Sequence, residues 1–164
     1  MAEAIFEYLE SFGGKELALF LISMIPIVEL RGAIPLGIAI GLPWYEVLPI
    51  SVIGNLFPVP FILLLVKYVI NWLKSIPKIS RFAHKIEERL MKKSDKIKKG
   101  LGLGLLVFVA IPLPGTGAWT GAGIAALLGL PGKKSFAEII LGVVIAGIIM
   151  TLLSTSVIST IRLF

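Results

Sequence analysis

Cysteine is absent from the 164 residues, and histidine occurs once, at His84. The first absence excludes disulfides, thiolate metal sites and cysteine nucleophiles. The sequence also supplies no buried His, Asp or Cys cluster of the kind a membrane phosphatase needs, so no enzyme, cofactor or metal site is expected. Charge is scarce as well. Only 16% of residues are charged, against 57% hydrophobic and a mean hydropathy of +0.97. A soluble domain this small cannot bury so much apolar surface, which leaves an integral membrane protein with lipid as its first partner.

Apolar runs over 17–42, 47–73, 101–130 and 136–161 all exceed the ~18 residues that mark a candidate membrane segment. The opening residues place Glu3, Glu7 and Glu10 where a secretory signal needs positive charge, and Ile5, Leu9 and Phe12 recur at helical spacing. Residues 1–14 therefore read as an uncleaved amphipathic helix at the membrane surface. The total charge of +6 is concentrated in one loop: between Lys67 and Gly100, eleven Lys or Arg face Glu87, Glu88 and Asp95, a net of +8 that leaves −2 elsewhere. Ile79, Phe82, Ile86 and Leu90 recur there at three or four residues, and Glu88 precedes Lys92 by four, giving an amphipathic basic helix within 74–100 on the cytoplasmic face, resting on anionic headgroups. No aromatic ladder supports a nucleic-acid partner, and His84 reads as solvated.

Gly-Leu-Pro at 41–43 returns at 129–131, Gly54 at Gly142, Ile25-Pro26 at Ile111-Pro112, and Gly37-Ile38-Ala39 at Gly123-Ile124-Ala125. Each half, 15–73 and 101–164, is a broken apolar segment, a Gly-Leu-Pro turn and a longer helix, in the manner of transporter repeats. If both broken segments crossed the bilayer, the turn carrying Lys133 and Lys134 would lie outside, against the positive-inside tendency. Re-entry removes the conflict, and 26–30 residues suit two half-depth arms better than two spans of about 20 residues. The expected fold is thus one all-α membrane domain of two inverted repeats, each a re-entrant helical hairpin followed by a transmembrane helix, with amphipathic surface helices. The hairpin tips are expected to meet near the midplane, where irregular backbone is sheltered.

The first tip, "IPIVELRGAIPLGIAIG", holds Glu29 and Arg31 between Pro26 and Pro35. Ionised groups cost on the order of 2.5–3.5 kcal/mol apiece in a membrane helix. Two residues apart, they would face different sides of a regular helix, so the prolines and Gly32 are expected to break the ladder and turn both inward. Burial and the neighbouring cation act in opposite senses on protonation of Glu29, which suits a proton-exchanging or charge-capturing site; a structural ion pair between hairpins is the alternative.

The second tip, "IPLPGTGAWTGAG", has no charge. Pro112 and Pro114 free carbonyls there. A helix starting near Gly115 to Gly117, with Thr116 as its cap, would aim N–H groups at an anion beside the aromatic face of Trp119. Close packing is the rival reading for Gly117 and Gly121, and for Gly37 and Gly41. The pattern lacks the strand and the Lys-Ser/Thr ending of a nucleotide loop. Asn55, beside Pro58 and Pro60, either bonds a hairpin tip or joins helices. Thr151, Ser154, Thr155 and Ser156 either line a polar path or bond their own backbone.

"ELRGAIPLGIAIG", "GNLFPVPF" and "PLPGTGAWTGA" resemble the motifs of the small multidrug export protein family, over nearly the whole chain. More distantly, inverted halves with re-entrant hairpins resemble the DedA superfamily. Its members are implicated in moving lipid phosphates such as undecaprenyl phosphate and depend on proton-motive force. That likeness implies that Glu29 corresponds to the acid of the first hairpin. DedA proteins carry arginines in the second hairpin, however, and this chain has none from Leu101 to Gly132. The expected function is a multi-pass transporter of the cell membrane, a proton-coupled exporter of a small molecule with its site between the hairpins, working as a homodimer because two spans and two hairpins make a thin wall. The alternatives are a translocase of polyprenyl phosphate or phospholipid, and a structural assembly protein.

Overall fold

In the computed structural model the described residues are 2–98, 103–113 and 115–162, with the side chains of 2–12, 96, 159, 161 and 162 excepted. They form α1 (Ala2–Ser23), α2 (Glu29–Ala39), α3 (Trp44–Leu56), α4 (Val59–Ser75), α5 (Ser80–Lys98), α6 (Gly104–Ala110), α7 (Ala118–Leu127) and α8 (Gly132–Arg162), with no strand among them. Two stretches are long and apolar enough to cross a membrane: Trp44–Ser75, which runs through α3 and α4, and Gly132–Ile158 of α8. The arms that flank the broken segments are short by comparison, 11 residues in α2, 7 in α6 and 10 in α7.

The expected boundary at residue 14 is a kink in α1, where Gly13 and Gly14 leave helical geometry and Gly14 takes φ +83°. The proposed apolar face of Ile5, Leu9 and Phe12 lies outside the described side chains. Pro58 falls in the two-residue break between α3 and α4, and Pro60 occupies the first turn of α4, where no backbone N–H is needed.

The chain forms two compact units, and they do not follow its sequence halves. One comprises 1–58 with 143–164, the other 59–142, so each takes part of both long helices. In the first unit, α1, α2 and α3 pack on one another, around Leu19, Ile22, Leu30, Ala33, Ile34 and Val47. Gly37 lies where a methyl group would come 2.9 Å from Val47 and 3.2 Å from Leu19. In the second unit, α7 packs on α4, α5 and α6, and a methyl on Gly121 would come 3.2 Å from Leu105.

The repeated Gly-Leu-Pro has a repeated geometry. α2 and α7 end in the same Schellman arrangement: Leu42 N–H donates to Gly37 O and Leu130 N–H to Ala125 O, each at 3.0 Å, with Gly41 at φ +89° and Gly129 at φ +66°.

The basic helix is present as α5, but its buried stripe is Ala83, Ser94 and Ile97, with Leu90 against Gly123 of α7. Phe82, assigned above to the apolar face, is 65% exposed. The buried stripe lies on α4, α6 and α7 because small and aliphatic side chains recur at 83, 90, 94 and 97, whereas Phe82 is one position out of phase. α5 therefore lays its buried stripe on protein. Its ion pair is Glu87 with Lys74 of α4; Glu88 and Lys92 are both exposed. His84 is exposed, with Nδ1 2.9 Å from the Ser80 carbonyl.

Candidate functional site

The first broken segment turns at 24–28. Val28 and Glu29 N–H both donate to Ile25 O, at 3.1 and 2.9 Å, and Pro26 sits where it has no N–H to leave unpaired. α2 then opens on Glu29 with φ +50°, the sole positive φ among described non-glycine residues. A left-handed L-residue costs roughly 1–2 kcal/mol, and it redirects the side chain away from the helical spacing that would separate Glu29 from Arg31. Arg31 Nη1 lies 3.7 Å from Glu29 Oε2, with the two side chains only 17% and 6% exposed. The break that brings them together is thus Pro26 and the reversed φ of Glu29. Pro35 does not contribute: it lies within α2, which continues through it to Ala39, so it is no hairpin breaker. Its missing N–H would have reached the carbonyl of Arg31, in the irregular first turn.

α3 supplies the neighbours. Gly37 against Val47 sets α2 antiparallel to α3, so Glu29, eight residues before Gly37, and Asn55, eight after Val47, each lie about 12 Å along and come to one level. Ser23 joins that level, since a methyl on Gly54 would come 2.9 Å from its Cβ. Ser51, one turn before Asn55 on the same face, was not singled out in the sequence. Ser51 Oγ and Asn55 Oδ1 are buried with no hydrogen-bond partner among the described residues. Other hydroxyls return to their own helix: Ser23 to Leu19 O, Thr151 to Gly147 O, Thr155 to Thr151 O and Ser156 to Leu152 O. For Thr151, Thr155 and Ser156 of the last helix the backbone-bonded alternative is the observed one. Ser51 breaks that habit.

In the second broken segment α6 stops at Ala110, and Ile111 becomes extended ahead of Pro112, as the residue before a proline must. Pro114 lies outside the described residues. α7 starts at Ala118 behind Gly117 at φ +128°, and no side chain caps it. Thr116 is therefore not the cap. Its hydroxyl lies 2.8 Å from Leu113 O and 2.9 Å from Ile111 O and closes the turn backwards. Trp119 is half-buried in the first turn of α7. The segment lacks charge of its own but receives one: Lys93 of α5 donates to Gly115 O, with Gly115 at φ +76°. A periodicity in which Lys93 follows Leu90 by three and precedes Ile97 by four placed it beside the buried stripe.

Residues 29–149, opening at Glu29 itself and spanning both turns, match the family described as "Putative small multi-drug export protein". The chain belongs to this family. No curated protein and no solved structure matches it. Family membership and the two long apolar helices together make this member of the export family a membrane protein. Among its described residues no group of three His, Asp or Glu could hold a metal ion.

Proposed function

We propose that the protein is a multi-pass exporter of small molecules in the cytoplasmic membrane, driven by protons that exchange at Glu29, with Arg31 as the counter-charge and Asn55 and Ser51 as polar neighbours. The observation that carries this reading is that Glu29 combines burial, 5% exposed, with a left-handed backbone. A buried ion pair is poor value for stability and backbone strain adds to its cost, so the combination points to use.

Two inverted repeats with re-entrant hairpins complete the proposal. Arms of 10 and 11 residues reach about 15–17 Å, half of a ~30 Å hydrocarbon core. The matching Schellman ends of α2 and α7 support the repeat. Pairing as a homodimer would thicken a wall of only two spans.

The test is a proton-gradient-driven flux in liposomes, comparing wild type, Glu29→Gln and Arg31→Ala. Loss of flux in Glu29→Gln, with the protein still folded, supports the assignment. Equal flux in all three removes it.

A further inference from the structure

A cavity of about 220 Å³ opens in the second unit at the start of α8, beside the second Gly-Leu-Pro turn. Its polar wall is Lys98 from α5 with Lys134, Ser135 and Glu138 from α8. Ser135 is 2% exposed and lines the cavity; its N–H donates to Pro131 O at 2.9 Å, and its hydroxyl has no described hydrogen bond. The Glu138 side chain is 12% exposed, yet its ion pair with Lys134 is long, at 3.9 Å. The opposite wall is apolar: Ile97, Leu105, Leu128 and Leu130.

The charges run against what the helix alone would select. The first turn of α8 contains Lys133 and Lys134 and no acid, although a helix N-terminus repels cations and its free N–H groups call for an anion. Lys134 before Glu138 is also the weaker order for such a pair. An orientation signal explains lysines in a loop; it does not explain a lysine over a cavity with a carboxylate set beneath it.

We propose that this cavity binds the headgroup of a resident phospholipid, a phosphodiester carrying glycerol hydroxyls. The phosphate is held by Lys98, Lys134 and the free N–H groups of α8. The hydroxyls donate to Glu138, and Ser135 bonds either part. One phosphodiester, two ammonium groups and one carboxylate sum to zero, whereas a choline or ethanolamine headgroup leaves a charge unmatched. The volume exceeds the ~150 Å³ that admits a benzene ring, and the apolar wall gives the first acyl carbons a surface that free glycerol phosphate cannot use. Interfacial lysines between membrane helices are established headgroup ligands in general. The cavity shares no residue with the Glu29 site, so its failure leaves the export reading untouched.

The experiment is native mass spectrometry of the purified full chain, titrated with short-chain phosphatidylglycerol, phosphatidylmethanol, phosphatidylcholine and glycerol 3-phosphate. Phosphatidylglycerol is expected to bind most tightly. Lys134→Gln and Lys98→Gln each weaken it about tenfold. Glu138→Leu abolishes the preference over phosphatidylmethanol, which has the same charge and no hydroxyls, while binding of both lipids persists. Glutamine at 134 keeps the helix, and a thermal melt of each variant separates lost binding from lost folding. Equal binding of phosphatidylglycerol and phosphatidylmethanol by wild type overturns the proposal. So does glycerol 3-phosphate binding as tightly as the lipid, or indifference to both lysine changes.

Discussion

Gly54 of α3 lies against the main chain of Phe20: a methyl group there would come 2.5 Å from the Phe20 carbonyl oxygen. The second unit repeats the contact, with Gly142 2.9 Å by the same measure from Leu106 O. In both cases a long helix meets the first arm of a broken segment through a residue with no side chain, and the obstacle is backbone, which cannot swing aside.

Gly54→Ala and Gly142→Ala should therefore each destabilise by about 1–3 kcal/mol, as overpacking does. Gly132→Ala, with nothing within 4 Å, should leave stability unchanged. Thermal unfolding in one detergent checks all three, and equal melting temperatures would contradict the close approach.

Arg31→Met leaves the Glu29 carboxylate buried beside a vanished cation and should cost about 3 kcal/mol; adding Glu29→Gln should restore much of it. Flux should be lost in both variants. Recovery of flux along with stability in the double variant would make the pair purely structural.

Ser51→Ala removes a buried hydroxyl that has no described partner, so stability should hold or rise by up to about 1 kcal/mol. If the hydroxyl serves the exported solute or its protons, flux falls while the melting temperature does not. A lower melting temperature would show that Ser51 is bonded in the folded protein.

Lys93→Met keeps the aliphatic stem and removes the bond to Gly115 O. Hydrogen exchange over 115–117 should quicken about tenfold, the effect of losing one charged hydrogen bond. Unchanged exchange would mean that the turn holds itself.

Single cysteines replacing Glu46, just after the first Gly-Leu-Pro turn, and Lys133, just after the second, in a chain that has none, should label from opposite faces of right-side-out vesicles. Labelling of both from outside would reject inverted halves.

Much of this was readable in the sequence. The membrane class followed from composition, the Gly-Leu-Pro turns from their glycines, and the unusual first segment from an acid and a base among apolar residues. Each is local or compositional. Pro35 misled because a proline in the second turn of α2 removes only the bond to the Arg31 carbonyl, and the helix continues through it. Thr116 misled because a hydroxyl before a helix can bond backwards as readily as forwards. Ser51, Lys93 and Glu138 were not found because their meaning comes from what packs opposite them. Phe82 was misplaced by one residue of helical phase, enough to move it from the buried stripe to the exposed side.

The Lys93 bond bears on where a self-sufficient piece of this chain can start. Judged by echo between halves, the second half begins near Gly104, but a fragment cut there would keep its turn while forfeiting the Lys93 ammonium that reaches it. An excerpt that keeps that bond needs α5, and one that also keeps the helix on which α7 packs needs α4 and so begins at Val59. The two halves end their short helices in the same turn, and the borrowed lysine marks a point at which they are not interchangeable.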